Sequence, residues 1–175
     1  MSTLTMAQDY LGMTGADICS QKKSKSEHIN PLDRSPNTPR HSYDVLNYKL
    51  NLDIYNCFKN SVRSYTGTEQ LTFRVDSTLN SIQMNAYYTS LVIDSVKLIS
   101  GSSLVFTHSS STNLLTINLD RTYNPGEIVD LVIKYRHNNV SDGAFNVSSG
   151  FVYTNTEPEG SRRWFPCWDK PADKA

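Results

Sequence analysis

From residue 43 onward the chain alternates. In "LNYKLNLDI" the apolar residues Leu46, Tyr48, Leu50, Leu52 and Ile54 occupy every second position, with Asn47, Lys49, Asn51 and Asp53 between them. Side chains of an extended backbone point to opposite faces in turn, so this pattern predicts a strand with one buried and one wet face. "EQLTFRV" repeats it through Leu71, Phe73 and Val75, "NLLTINL" through Leu115, Ile117 and Leu119, and "IVDLVIKYR" through Val129, Leu131, Ile133 and Tyr135. "SIQMNAY" and "LVIDSVKLI" read as strands of less regular exposure, and "SLVFTH" and "GFVYT" as shorter ones. Asn124-Pro125-Gly126 separates two of these runs. Proline presets φ at the first central position of a turn, and glycine permits the positive φ that a type II turn needs next. About six to eight short strands joined by tight turns, with no helix predicted after residue 40, indicate an all-β antiparallel sandwich or saddle.

Residues 1–40 have a different character. They end in "SQKKSKSEHINPLDRSPNTPR", polar and proline-bearing without periodicity, which predicts a largely irregular extension. "TMAQDYLGMTGADIC" has room for a short helix, weakened by Gly12 and Gly15. Residues 41–175 then form the β domain.

Charge narrows the partners. Seventeen basic residues balance seventeen acidic ones, and they are dispersed, so no basic face calls for nucleic acid or an anionic membrane. No apolar run approaches a bilayer span, since "LVIDSVKLI" is broken by Asp94 and Lys97. The amino terminus shows no signal-peptide pattern. The compartment is not legible from these residues, and a secreted or periplasmic parent is favoured over a cytoplasmic one.

The chemical inventory is short. His28, His41, His108 and His137 lie far apart and match no metal-binding spacing. Cys19, Cys57 and Cys167 are equally scattered, and Cys57 in "YNCF" and Cys167 in "FPCW" read as buried structural residues. Asn139-Val140-Ser141 and Asn146-Val147-Ser148 fit the glycosylation sequon, which is common by chance. These residues contain no catalytic set and no metal ligands.

The carboxy-terminal stretch "TNTEPEGSRRWFPCWDKPADKA" is the exception. Proline at 158 disfavours the α region for Glu157 and fixes its own φ, and Gly160 allows a sharp reversal. "TEPEG" is therefore expected to be a stiff corner presenting Glu157 and Glu159 in set directions. A set carboxylate suits an ammonium ion: at about 4 Å and an effective dielectric near 20, the pair interacts by roughly 4 kcal/mol before desolvation is counted. A solvated acidic turn is the plainer reading of the same residues.

"EGSRRWFPCWDKPADKA" resembles the segment of M1-family zinc aminopeptidases that typically reads A-R-R-x-F-P-C-x-D-E-P-x-x-K-A. Arg162, Arg163, Phe165, Pro166, Cys167, Asp169, Pro171, Lys174 and Ala175 fall on its positions, and "YTNTE" stands where the family has a T-Q-x-E/Q element. The resemblance implies the amino-terminal β domain of such an enzyme, with further strands of that domain following. It also implies a separate catalytic domain bearing G-x-M-E-N and the H-E-x-x-H…E zinc site, neither of which occurs in these residues. Zinc would there polarise the scissile carbonyl and activate water. By the same resemblance Glu157 would bind the free α-amino group of a peptide substrate, and Asn155 would line the first side-chain pocket in place of glutamine. Lys170 stands where glutamate is usual, a reversed charge expected at a structural surface. Arg162 and Arg163 would tie the corner to carboxylates or backbone carbonyls, with Trp164 or Trp168 packing beside them. A noncatalytic M1-like scaffold and an unrelated β-sandwich interaction module are the alternatives. The chain alone is expected to lack peptidase activity and to expose unpaired sheet edges.

Overall fold

The computed structural model describes residues 42–148 and 150–170. The expected irregular extension over 1–40, Cys19, and the motif positions Pro171, Lys174 and Ala175 lie outside the described residues. The chain divides into two units after Arg40, and the second carries all the described strands.

Those strands run in order β1 (Tyr43–Asp53), β2 (Tyr65–Val75), β3 (Leu79–Asn85), β4 (Leu91–Leu98), β5 (Phe106–His108), β6 (Leu114–Tyr123), β7 (Ile128–His137), β8 (Phe145–Ser148) and β9 (Phe151–Thr154). Every pairing is antiparallel. One sheet has the order β1-β2-β7-β4, a second β3-β6-β5, and β8 and β9 form a hairpin. The all-β prediction therefore holds.

Period-two alternation builds the core. Leu71, Phe73 and Val75 of β2, Val129, Leu131, Ile133 and Tyr135 of β7, and Leu115 and Ile117 of β6 are all buried in a single cluster fed by both larger sheets. At about 25 cal/mol for each Å² of apolar surface removed from water, such alternation drives strand pairing and sheet packing together. The turn at Asn124–Glu127 forms as expected: Gly126 has φ +90°, and the Glu127 N–H donates to the Asn124 carbonyl.

Three features depart from the sequence-based expectation. Leu46 does not share the inward face of Tyr48. A bulge in β1 sets Val45 opposite Phe73 but Asn47 opposite Thr72, so Leu46 is the extra residue and is 42% exposed. Ahead of the bulge Tyr43 and Val45 point inward; the unpaired residue reverses the phase. A short helix, α1 (Tyr55–Asn60), follows β1, closed by Ser61 in the left-handed region, and it buries Cys57. Its six residues are too few for periodicity to reveal. Strand β8 is likewise too short and irregular in "FNVS" to stand out.

Both described cysteines are buried and unpaired by disulfide. No helix among the described residues is long and apolar enough to cross a membrane.

Candidate functional site

The site is an elbow between the β8–β9 hairpin and the carboxy-terminal segment. Strand β9 ends at Thr154, residues 157–160 turn, and a 3-10 turn follows at Ser161–Arg163. Both stems are tied down. The Asn155 N–H donates to the Ala144 carbonyl (2.8 Å), beside β8, and the Tyr87 N–H, just after β3, donates to the Arg162 carbonyl (2.8 Å). Further on, Asn85 at the end of β3 exchanges both backbone bonds with Cys167 (2.7 and 3.0 Å).

Within the elbow the Glu157–Pro158 peptide is cis, and the Gly160 N–H donates to the Thr156 carbonyl at 2.9 Å. Gly160 has φ −97°, so it is not required for a left-handed reversal, contrary to the expectation from its sequence context. Its requirement is space. A Cβ at this position would lie 2.8 Å from the Asn155 carbonyl oxygen and 2.9 Å from Thr156 Cα.

Arginine chemistry fixes the rest. Asp169 Oδ2 accepts from Arg162 Nε (2.8 Å) and from its backbone N–H (3.2 Å), while Arg162 Nη2 donates to the Asp169 carbonyl (3.0 Å) and to Glu159 Oε2 (2.8 Å). The Arg162 and Asp169 side chains are only 19% and 8% exposed, and removing one partner of so buried a pair costs about 3–5 kcal/mol. Arg163 donates through Nη1 to the Asp142 carbonyl, and its guanidinium lies 5.1 Å from the centre of the Tyr87 ring. Both arginines thus bind carboxylates or carbonyls, as expected. Arg163 stacks on a tyrosine, whereas Trp164 packs on Phe165 with ring centroids 4.4 Å apart.

Glu157 stands apart from this network. It is exposed and makes no hydrogen bond or ion pair among the described residues. It forms part of the wall of two open cavities. One, of about 440 Å³, is shared with Asn155, Glu159 and Arg162 and is backed by Tyr87 and Asp142. The other, of about 430 Å³, lies against Tyr48, Phe165, Trp168 and Lys170. Glu157 and Asn155 therefore meet at one cavity, while Lys170 sits across the ridge from Asn155. Sequence reasoning missed Asp142 and Tyr87. The Asp-Gly dipeptide at 142–143 marks a turn, but nothing local tells which loop it meets.

A buried carboxylate was missed as well. Glu69 on β2 faces the core, is fully buried, and neither of its oxygens has a hydrogen-bond partner among the described residues. Burial holds its carboxyl well above the usual range. Tyr48, Tyr135 and Cys167 lie close enough to feel its charge, and burial pushes each of them up too.

Comparison with known proteins decides the family. Residues 43–175 match the model of the peptidase M1 N-terminal domain. The chain belongs to that family. Solved structures share the fold of this M1 domain. An M1 zinc metallopeptidase from Deinococcus radiodurans has a TM-score of 0.62 at 22% identity, over 75% of this chain and 30% of that one. A mutant of the Deinococcus enzyme bound to a Tyr-Ser-Ala substrate gives 0.63 at 21% identity, over the same shares. A two-domain M1 zinc metallopeptidase mutant bound to L-arginine gives 0.62 at 21%, again over 75% and 30%. The chain thus spans under a third of the length of these relatives. No curated protein sequence matches it. Among the described residues of the M1 domain no three His, Cys, Asp or Glu side chains are grouped to hold a metal ion.

Proposed function

We propose that this chain is the amino-terminal part of a zinc-dependent aminopeptidase and supplies the loop that recognises the free amino terminus of a peptide. The observation carrying this reading is Glu157: an exposed carboxylate, unpaired among the described residues, on a turn tied down through the Asn155 and Gly160 N–H groups and the Glu159–Arg162 pair. A carboxylate held in this way attracts an α-ammonium group without first breaking an internal ion pair. Asn155, on the same cavity, contacts the first side chain. The Deinococcus relative's Tyr-Ser-Ala and the two-domain relative's L-arginine each present the free amino group that such a carboxylate suits.

The described residues do not fit a zinc site; on this reading the metal and the general base lie in a catalytic domain of the parent polypeptide. That domain faces the elbow, and the exposed Phe151 and Tyr153 on β9, the strand leading into it, are suited to packing against it. Glu157 contributes by positioning the substrate and selecting for a free amino terminus, not by moving a proton. In the full-length polypeptide, Glu157→Gln raises KM and lowers kcat/KM for amino-acyl substrates. Kinetics unchanged within about twofold refute the assignment.

A further inference from the structure

Glu157 has no restraint of its own, so its direction is set by the turn that carries it. That turn hangs on Arg162. One edge of the guanidinium is committed to Asp169, through Nε to the side chain and Nη2 to the carbonyl, and Nη2 also reaches Glu159. Asp169 in turn is moored to β3, its N–H donating to Asn85 Oδ1 at 3.1 Å. An unbroken series of polar bonds therefore runs from the sheet to within two residues of Glu157.

We propose that Arg162 is the positioning residue for amino-terminus recognition, and that Glu159 keeps its guanidinium occupied so that Glu157 stays free for substrate. The inference rests on the reading of Glu157 given above. Glu157, Glu159 and Arg162 line one cavity, so an Arg162 released from Glu159 has a second carboxylate within the same space. Pairing there would compete directly with an ammonium ligand. Lysine cannot replace Arg162, because a single ammonium on a flexible stem does not reproduce a planar fork that serves the Asp169 side chain and carbonyl together.

The test uses the full-length polypeptide, with amino-acyl substrates and their N-acetylated counterparts, and the variants Glu157→Gln, Glu159→Gln, Arg162→Lys and Glu157→Gln/Glu159→Gln. Glu159 is partly exposed, so its variant retains the fold, and a thermal midpoint checks Arg162→Lys. Glu159→Gln and Arg162→Lys are each expected to raise KM about fivefold, the scale of one partly screened ion pair, with kcat within about twofold. They also narrow the preference for free over acetylated termini. Adding Glu159→Gln to Glu157→Gln brings no further loss, because the group it protects is already gone. Three results overturn the inference while sparing the role of Glu157: unchanged KM in both single variants, fully additive losses in the double variant, or a fall in kcat alone. A neutral Glu157→Gln overturns both.

Discussion

Two carboxylates, Glu157 and Glu69, are alike in chemistry and in lacking a hydrogen-bond partner among the described residues, and they have opposite fates. Glu157 stands in solvent on a turn, where water solvates its charge and an incoming cation has only that water to displace. Glu69 lies at the centre of β2, opposite Leu50 on β1 and Ile133 on β7, where nothing solvates a charge and the molecule therefore favours the neutral acid. Tyr48 from β1, Tyr135 from β7 and Cys167 from the carboxy-terminal segment surround it electrostatically, and none carries a positive charge. An unpartnered carboxylate thus acquires its meaning from the dielectric around it: available for binding in one place, a liability in the other.

The strongest way to break this contrast is pH. Because folding raises the Glu69 pKa above its ordinary value of about 4.5, the unfolded chain releases its proton first as pH rises. The favourable balance present below that value is lost progressively up to the folded pKa. Stability is expected to fall by about 1.4 kcal/mol per pH unit across that window from this group alone. Glu69→Leu should remove that slope and raise the urea midpoint at neutral pH. A slope unchanged by the substitution would show that folding does not raise the Glu69 pKa.

Next in size is Gly67, two residues along the same inward face. A Cβ there would sit 2.4 Å from Cζ of the Tyr135 ring, and that ring is buried in the core. Gly67→Ala should cost about 1–3 kcal/mol, read as a lower thermal midpoint, and a neutral result would place Tyr135 elsewhere. Smaller still, Leu46→Thr should change stability by no more than about 0.5 kcal/mol, because the bulge has already turned Leu46 to solvent. Glu157→Gln should leave the stability within about 0.5 kcal/mol as well, in contrast to Glu69→Leu at the same pH.

How much of the molecule is readable from its sequence divides in the same way. Leu71, Phe73 and Val75, or Val129 through Tyr135, announce their face because period two survives unbroken through them. Leu46 does not, since one unpaired residue reverses the phase and bulges leave no compositional mark. Extending the β2 alternation backward by two positions places Glu69 in the core, but hydropathy assigns a charged residue to the surface, so the pattern and the residue type conflict there. At the elbow, proline and glycine mark a turn, and the arginines' appetite for carboxylates is legible. The role of Gly160 is not, because it depends on Asn155 and Thr156 folding back against it. The assignments of Glu157 and Asn155 come from the family resemblance, not from spacing.

The double tether of the elbow carries a last consequence. One stem is held by Ala144 beside the hairpin and the other by Tyr87 beyond β3, so the intervening arch has fixed footings and an adjustable height. Residues added or removed between Asn155 and Glu159 would change how far the acidic tip reaches while the footings stay in place. A lineage can thus retune the reach of that tip without rebuilding the sheets beneath.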